Sequence, residues 1–154
     1  MKKQIIIVIY LLLSSGIAFT QAKQKAPAKK VVSGLEKILS GTALPYKIIN
    51  DSLAVIPYEG ANIASYNVYI QIISDLYIIY TNLSEALPEK LDEVKYKYLL
   101  QQNDHFDIIK IGLAEDGTFY LRADLYKVTA TTPILKRIIS QVANVTNIIS
   151  GDLK

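Results

Sequence analysis

The sequence predicts an α+β fold, an antiparallel sheet of about five to six strands with helices packed on it in the order α-β(3-4)-α-β(2)-α. Three observations lead there. Runs rich in Ile, Val and Tyr fall in two blocks, 46–83 and 108–125. Turn residues tie the strands of each block into hairpins, which makes the pairing antiparallel. Stretches with apolar residues at helical spacing precede, separate and follow the two blocks.

The chain of 154 residues suffices for one ordinary domain. It opens with "MKKQIIIVIYLLLSSGIAFTQA": a positive start at Lys2 and Lys3, an apolar run from Ile5 to Leu13, and a smaller, more polar exit ending in Thr20-Gln21-Ala22. That plan reads as a secretory signal peptide over residues 1–22. Ile5 to Phe19 is short for a retained anchor, since a membrane span needs about 20 apolar residues. The expectation is a periplasmic or secreted protein with no membrane attachment after cleavage. The absence of cysteine excludes lipoprotein attachment, disulfides and thiol chemistry.

Residues 23–30, "KQKAPAKK", read as a flexible lysine-rich linker, having Pro and Ala but no apolar periodicity. Loss of the first 22 residues removes two lysines and no acid, so the formal net charge falls from +3 to +1. From Val31 onward there are 11 Lys+Arg against 14 Asp+Glu, a net of −3. The single domain expected over 31–154 is therefore mildly acidic and offers no basic surface for nucleic acid.

In "VVSGLEKILSG", Val31, Leu35, Ile38 and Leu39 share a helical face, and Gly41 is placed to close the helix in a left-handed cap. "YKIINDSLAVIPY" predicts a hairpin turning at Asn50-Asp51-Ser52, with Pro57 near a strand end where no inner ladder bond is needed. "YNVYIQIISDLYIIYTNL" predicts a longer hairpin turning near Ser74-Asp75. Its first strand is apolar on both faces, with Val68, Ile70 and Ile72 on one and Tyr69 and Ile73 on the other. An antiparallel strand with a wet face alternates more cleanly, so both faces are expected to be covered, by helices or by another subunit.

"LPEKLDEVKYKYLLQQN" predicts a helix with Pro88 in its first turn, acids Glu89, Asp92 and Glu93 near its start, and Asn103 at its end. Leu91, Val94, Tyr98 and Leu99 make its buried stripe. "TTPILKRIISQVANVTNIISG" predicts the last helix, capped by Thr132, with Pro133 at its first position and Gly151 past its end. Ile134, Leu135, Ile138, Ile139, Val142, Val145 and Ile149 give it a broad apolar face.

Between these helices, "IIKIGLAEDGTFYLRADL" fixes a register. A two-residue loop at Asp116-Gly117 would set Ile111 opposite Arg122 and Ile109 opposite Asp124. A loop of Glu115-Asp116-Gly117 sets Leu113 opposite Phe119, Ile111 opposite Leu121 and Ile109 opposite Ala123, all apolar and on one side. A one-residue slip flips the faces, so the apolar pattern selects the longer loop, with Gly117 in a left-handed bulge. Arg122 and Asp124 then share the polar face as an ion pair rather than a catalytic pair.

No chemistry-bearing constellation emerges. His105, the only histidine, lies between Asp104 and Asp107, but zinc would need three or four ligands and neither a second His nor a Cys exists. Nucleophile-elbow, phosphate-loop and dinucleotide signatures are missing. No cofactor and no metal is expected, and the protein is not read as an enzyme. Composition adds 11 Tyr against three Phe and no Trp. Tyr66, Tyr69, Tyr77, Tyr80 and Tyr120, with Arg122 and Asp124, form the candidate binding surface.

"LPEKLDEVKYKYLLQQNDHFDIIKIGLAEDGTFYLRADL" resembles the central block of YbjN-like domains and the wider type III secretion chaperone-like fold. The resemblance rests on Leu99-Leu100-Gln101-Gln102-Asn103 leading into the strand Ile109 to Leu113, the turn Asp116-Gly117, and Leu121-Arg122-Ala123-Asp124-Leu125. The element order extends it over residues 31–154. It implies a non-enzymatic binding fold, often dimeric, whose relatives hold extended segments of partner proteins across sheet and helix surfaces. The secretion chaperones work in the cytosol, whereas this chain carries an export signal, so effector delivery does not carry over. The reading is an exported protein- or peptide-binding module working as a homodimer. Two alternatives come from other classes: a small-ligand carrier with a pocket lined by the five tyrosines, and a hydrolase using His105 with Asp104 or Asp107.

Overall fold

The structure, a computed structural model, describes residues 33–84 and 91–154. The signal peptide, the linker, Val31, Pro88 and Glu89 lie outside the described residues. The elements run α1 (Gly34–Ser40), β1 (Lys47–Asn50), β2 (Leu53–Tyr58), β3 (Tyr66–Ile73), β4 (Leu76–Asn82), α2 (Glu93–Gln102), β5 (Lys110–Leu113), β6 (Phe119–Tyr126) and α3 (Thr132–Asp152). This is the α+β order expected, with four strands in the first block and two in the second. All strands pair antiparallel in one sheet of order β1-β2-β3-β4-β6-β5. After α2 the chain enters the sheet at its edge as β5, then returns as β6 between β5 and β4.

The turns follow from their side chains. Asn50 Oδ1 accepts from the Ser52 N–H at 2.9 Å, closing the first hairpin. Ser74 takes φ +54 in the two-residue turn joining β3 to β4. Pro57 pairs with Asn67 of β3 and lies beyond the Lys47–Val55 pair where β1 begins. In the last hairpin Leu113 pairs with Phe119 and Ile111 with Leu121, the register selected from the apolar pattern. The Gly117 N–H donates to Ala114 O at 2.9 Å, and Gly117 has φ +85, a conformation that costs a side-chain-bearing residue.

The core lies between one sheet face and the helices. A row of inward side chains, Ala54, Ile70, Ile79 and Ala123, crosses four strands and is at most 1 % exposed. Leu135, Ile139, Val142 and Ile149 of α3 and Leu35 and Leu39 of α1 complete the same cluster, each fully buried. Leu99 of α2 joins it, and the Tyr96 ring meets the Phe119 ring at 5.5 Å. Among the described residues all three helices therefore pack on one face of the sheet. The covering expected for both faces is provided by helices on one only.

Several boundary details differ from the sequence reading. Gly41 is right-handed (φ −79), and α1 is closed instead by Thr42, whose hydroxyl donates to Leu39 O at 2.7 Å. A Cβ at Gly41 would sit 2.9 Å from Thr132 Cγ2, so glycine serves there for close approach. Helix α2 starts at Glu93, because the Asp92 side chain accepts from the Lys95 N–H at 2.9 Å and caps it. Val94 is exposed (75 %), leaving Leu99 as the fully buried residue of a narrower stripe. Thr131 rather than Thr132 caps α3, and the helix runs through Gly151 to Asp152. Gly151 lies within the helix, where a Cβ would sit 2.4 Å from Asn62 Nδ2, so glycine serves close approach there too. Ile134 is exposed, one step off the buried face of α3.

Candidate functional site

Alternation along each strand sends half of the side chains to the face opposite the helices. Cross-strand pairing assembles them into rows there. Val55, Tyr69, Tyr80, Arg122 and Lys110 form one row across five strands. Leu53, Gln71, Ile78 and Asp124 form the next, and Ile73, Leu76 and Tyr126 a third. Ile73 and Tyr126 are 46 % and 58 % exposed. A groove of about 330 Å³ crosses this face between Tyr80 and Tyr120, from Ile73 to the turn at Asp116.

The middle of the face is aromatic. The Tyr69 and Tyr80 rings stack with centroids 5.2 Å apart and planes 19° from parallel. Burial, and then the neighbouring Tyr69, push the Tyr80 hydroxyl above its usual pKa. Beside it Arg122 grips Asp124 through two parallel bonds, Nε–Oδ1 at 2.7 Å and Nη2–Oδ2 at 3.0 Å. This pairing raises the Arg122 pKa further. Both side chains are about two-fifths exposed, which makes this an ion pair of the solvent-exposed kind.

The candidate tyrosines divide between the two faces. Tyr69, Tyr80 and Tyr120 stand on the outer face with Arg122 and Asp124. Tyr66 is buried on the helix side, where its hydroxyl donates to Ala143 O of α3 at 2.9 Å. Tyr77, also buried, lies on that same side between Ile72 and Leu125. The five rings therefore do not line one pocket. The period of two already separated them, since Tyr66 and Tyr69, like Tyr77 and Tyr80, are an odd number of residues apart.

Two features escaped the sequence reading. Asn103, which ends α2 as expected, also reaches β5: its Oδ1 accepts from the Ile111 N–H at 2.7 Å, and its Nδ2 donates to the Ile111 carbonyl at 3.2 Å. It thereby caps the free edge of the sheet. The other is a groove beside α3 that His105 helps to line. Among the described residues no group of three or more His, Asp or Glu is placed to hold a metal ion.

No protein-family model matches the chain, and no curated protein matches its sequence. Solved structures do match its fold. A chain of the ExsC–ExsE complex superposes with a TM-score of 0.59 at 13% identity, over 80% of this chain and 96% of that one. A chain of the heterodimeric ExoU–SpcU complex, from the type III secretion system of Pseudomonas aeruginosa, gives 0.56 at 16% identity, over 77% and 96%. YbjN of E. coli, described as a putative transcription regulator, gives 0.51 at 12% identity, over 79% and 92%. The fold is YbjN-like and secretion chaperone-like. At these identities the likeness is one of fold, and what the chaperone-like fold does in this chain must come from its own surface.

Proposed function

We propose that the protein is an exported, non-enzymatic module of chaperone-like fold that binds another protein or peptide and works as a homodimer, with the outer sheet face as the seat of its second copy. The observation that carries this is the one-sided packing: every described helix lies on one face, while the other bears the Tyr69–Tyr80 stack together with exposed Ile73 and Tyr126.

Size supports a second copy. Six strands ~4.8 Å apart, on average about six residues long at ~3.3 Å per residue, present roughly 600 Å² per face. Two such faces bury about 1,200 Å² in total, where specific stable interfaces begin. Charge argues against the chain's own linker as occupant. Lys23, Lys25, Lys29 and Lys30 would approach a face whose central row runs from Lys47 to Lys110 and whose Arg122 is already paired with Asp124. Export is supported by the three-part plan of residues 1–22, and the non-enzymatic reading by the absence of a nucleophile-elbow, phosphate-loop or dinucleotide signature in the sequence.

Light scattering across a concentration range tests the reading. A dimer is expected, reduced to half its mass by the double variant I73K/Y126K with unchanged circular dichroism, since both positions are exposed. A monomer at every concentration, or a dimer indifferent to that variant, would overturn it. The intact mass of protein recovered from the cell envelope or medium should correspond to a chain starting at Lys23. A retained Met1 would sink the export half.

A further inference from the structure

On the helix side, Arg137, Gln141 and Asn144 are four and three residues apart along α3 and so share one face of it. That face borders the segment joining α2 to β5. With His105 and Asp107 of that segment, these side chains line a groove of about 240 Å³. Five polar side chains meet there, yet among the described residues none makes a hydrogen bond or ion pair with another group. Arg137 and Asp107 share the groove without pairing. Gln141 Oε1 is buried with no donor, an arrangement that folded proteins rarely leave uncompensated. Val145 and Phe106 supply an apolar wall.

Each unpaired group specifies part of a ligand. A guanidinium fork matches a carboxylate. A side-chain amide oxygen needs an N–H, and the soft terminal torsion of Gln141 lets its amide turn to one. The apolar wall suits an aliphatic side chain, and Asp107 disfavours a second carboxylate. The groove is smaller than the ~300–1,000 Å³ that drug-sized ligands occupy, so it fits a ligand of about one residue. We infer that the groove between α3 and residues 105–109 binds an α-carboxylate whose adjoining carbon carries an N–H, supplied by the C-terminus of a peptide chain or by a free amino acid. Arg137 takes the carboxylate, Gln141 the N–H, and Asn144 the second carboxylate oxygen.

Isothermal titration of the purified protein with N-acetyl-Ala-Ala-Leu, its C-terminal amide and free leucine tests this. The acid tripeptide or leucine should bind, and the amide at least about tenfold more weakly than the acid tripeptide where that binds, because the charge-assisted pair is lost. The variant R137Q should weaken the bound acid at least about tenfold. The variant Q141L should also weaken it while holding or raising the unfolding temperature, since it removes an orphaned polar atom. Tighter binding of leucine assigns a free amino acid with its ammonium on Asp107. Tighter binding of the tripeptide assigns a chain end. Equal affinity for tripeptide acid and amide, no heat from either acid at millimolar concentration, or unchanged binding in R137Q would overturn the inference. Neither Ile73 nor Tyr126 lines the groove, and Arg137 is not among the outer-face residues, so R137Q should leave the solution mass alone. A monomeric wild-type protein would count against the dimer and not against this site.

Discussion

Asn103 holds both peptide groups of Ile111, with bonds of 2.7 and 3.2 Å, at the end of α2 and the start of the edge strand. One side chain thus does what a neighbouring strand would do, and the Lys110 ammonium adds bonds to Asn103 O and Phe106 O at 3.2 and 3.0 Å. Losing an amide that satisfies a part-buried donor and acceptor leaves both unpaired. Asn103→Ala should therefore cost about 2 kcal/mol in urea unfolding, and Asn103→Asp, which keeps the acceptor but loses the donor, should fall between. An Asn103→Ala protein as stable as the wild type would mean that water replaces the amide at no cost. The Arg122–Asp124 pair, by contrast, sits on a strand interior with both side chains two-fifths exposed. Its contribution to the isolated fold is of the order of a surface pair, ~0.2–1 kcal/mol.

Among the described helices, α3 buries the most residues. Its buried side chains Leu135, Ile139, Val142 and Ile149 recur at three-, four- and seven-residue steps, and they face the inward rows of β3, β4 and β6. Two buried hydroxyls on that face, Thr146 and Ser150, are satisfied inside the helix by bonds of 2.7 Å to the carbonyls four residues back. Ile139→Ala should cost about 3 kcal/mol, whereas Ile148→Ala, half exposed on the same helix, should cost well under ~1 kcal/mol. Equal losses in chemical denaturation would contradict this placement of the helix.

The C-terminal turn of α3 also ties down α2, through the Tyr98 hydroxyl bonded to Asp152. Partial burial, and then Asp152, push the Tyr98 hydroxyl up to about 12 from its usual 10.0. A raised folded-state value gives stability that is complete below about pH 10 and lost as pH rises towards 12, because the unfolded chain releases the proton first. Stability should decline less steeply between pH 10 and 12 in Tyr98→Phe than in the wild type. An unchanged slope would dismiss the link.

For the whole molecule the governing fact is asymmetry. Among the described residues one sheet face is covered by three helices, while the other presents stacked rings, exposed Ile73 and Tyr126, and a self-satisfied ion pair. On the proposed reading that this face seats a second copy, association makes unfolding depend on concentration. The unfolding temperature should rise by several degrees as protein concentration increases a hundredfold, and I73K/Y126K should abolish the dependence while keeping the fold. A concentration-independent unfolding temperature in the wild type would remove the outer face as an interface.

The element order, the β5–β6 register and the identity of the inward rows were legible from the residues. Strand periodicity is two, so one buried face makes every alternate position costly to misplace, and a single slip would have exposed Ile111, Leu121 and Ala123 together. The same period had already parted Tyr66 from Tyr69, although composition alone grouped them. Helix ends were read less well at Gly41, Thr132 and Gly151. Their local propensities were overridden by close approach between elements remote in sequence, Gly41 against Thr132 and Asn62 against Gly151. By itself the sequence determined which side chains share a face, because that follows from backbone period and the burial of apolar groups. Only the tertiary structure decided which face the helices cover, where Asn103 reaches, and that Arg137, Gln141 and His105 border one groove. Those are matters of how elements distant along the chain pack, and no local period encodes them.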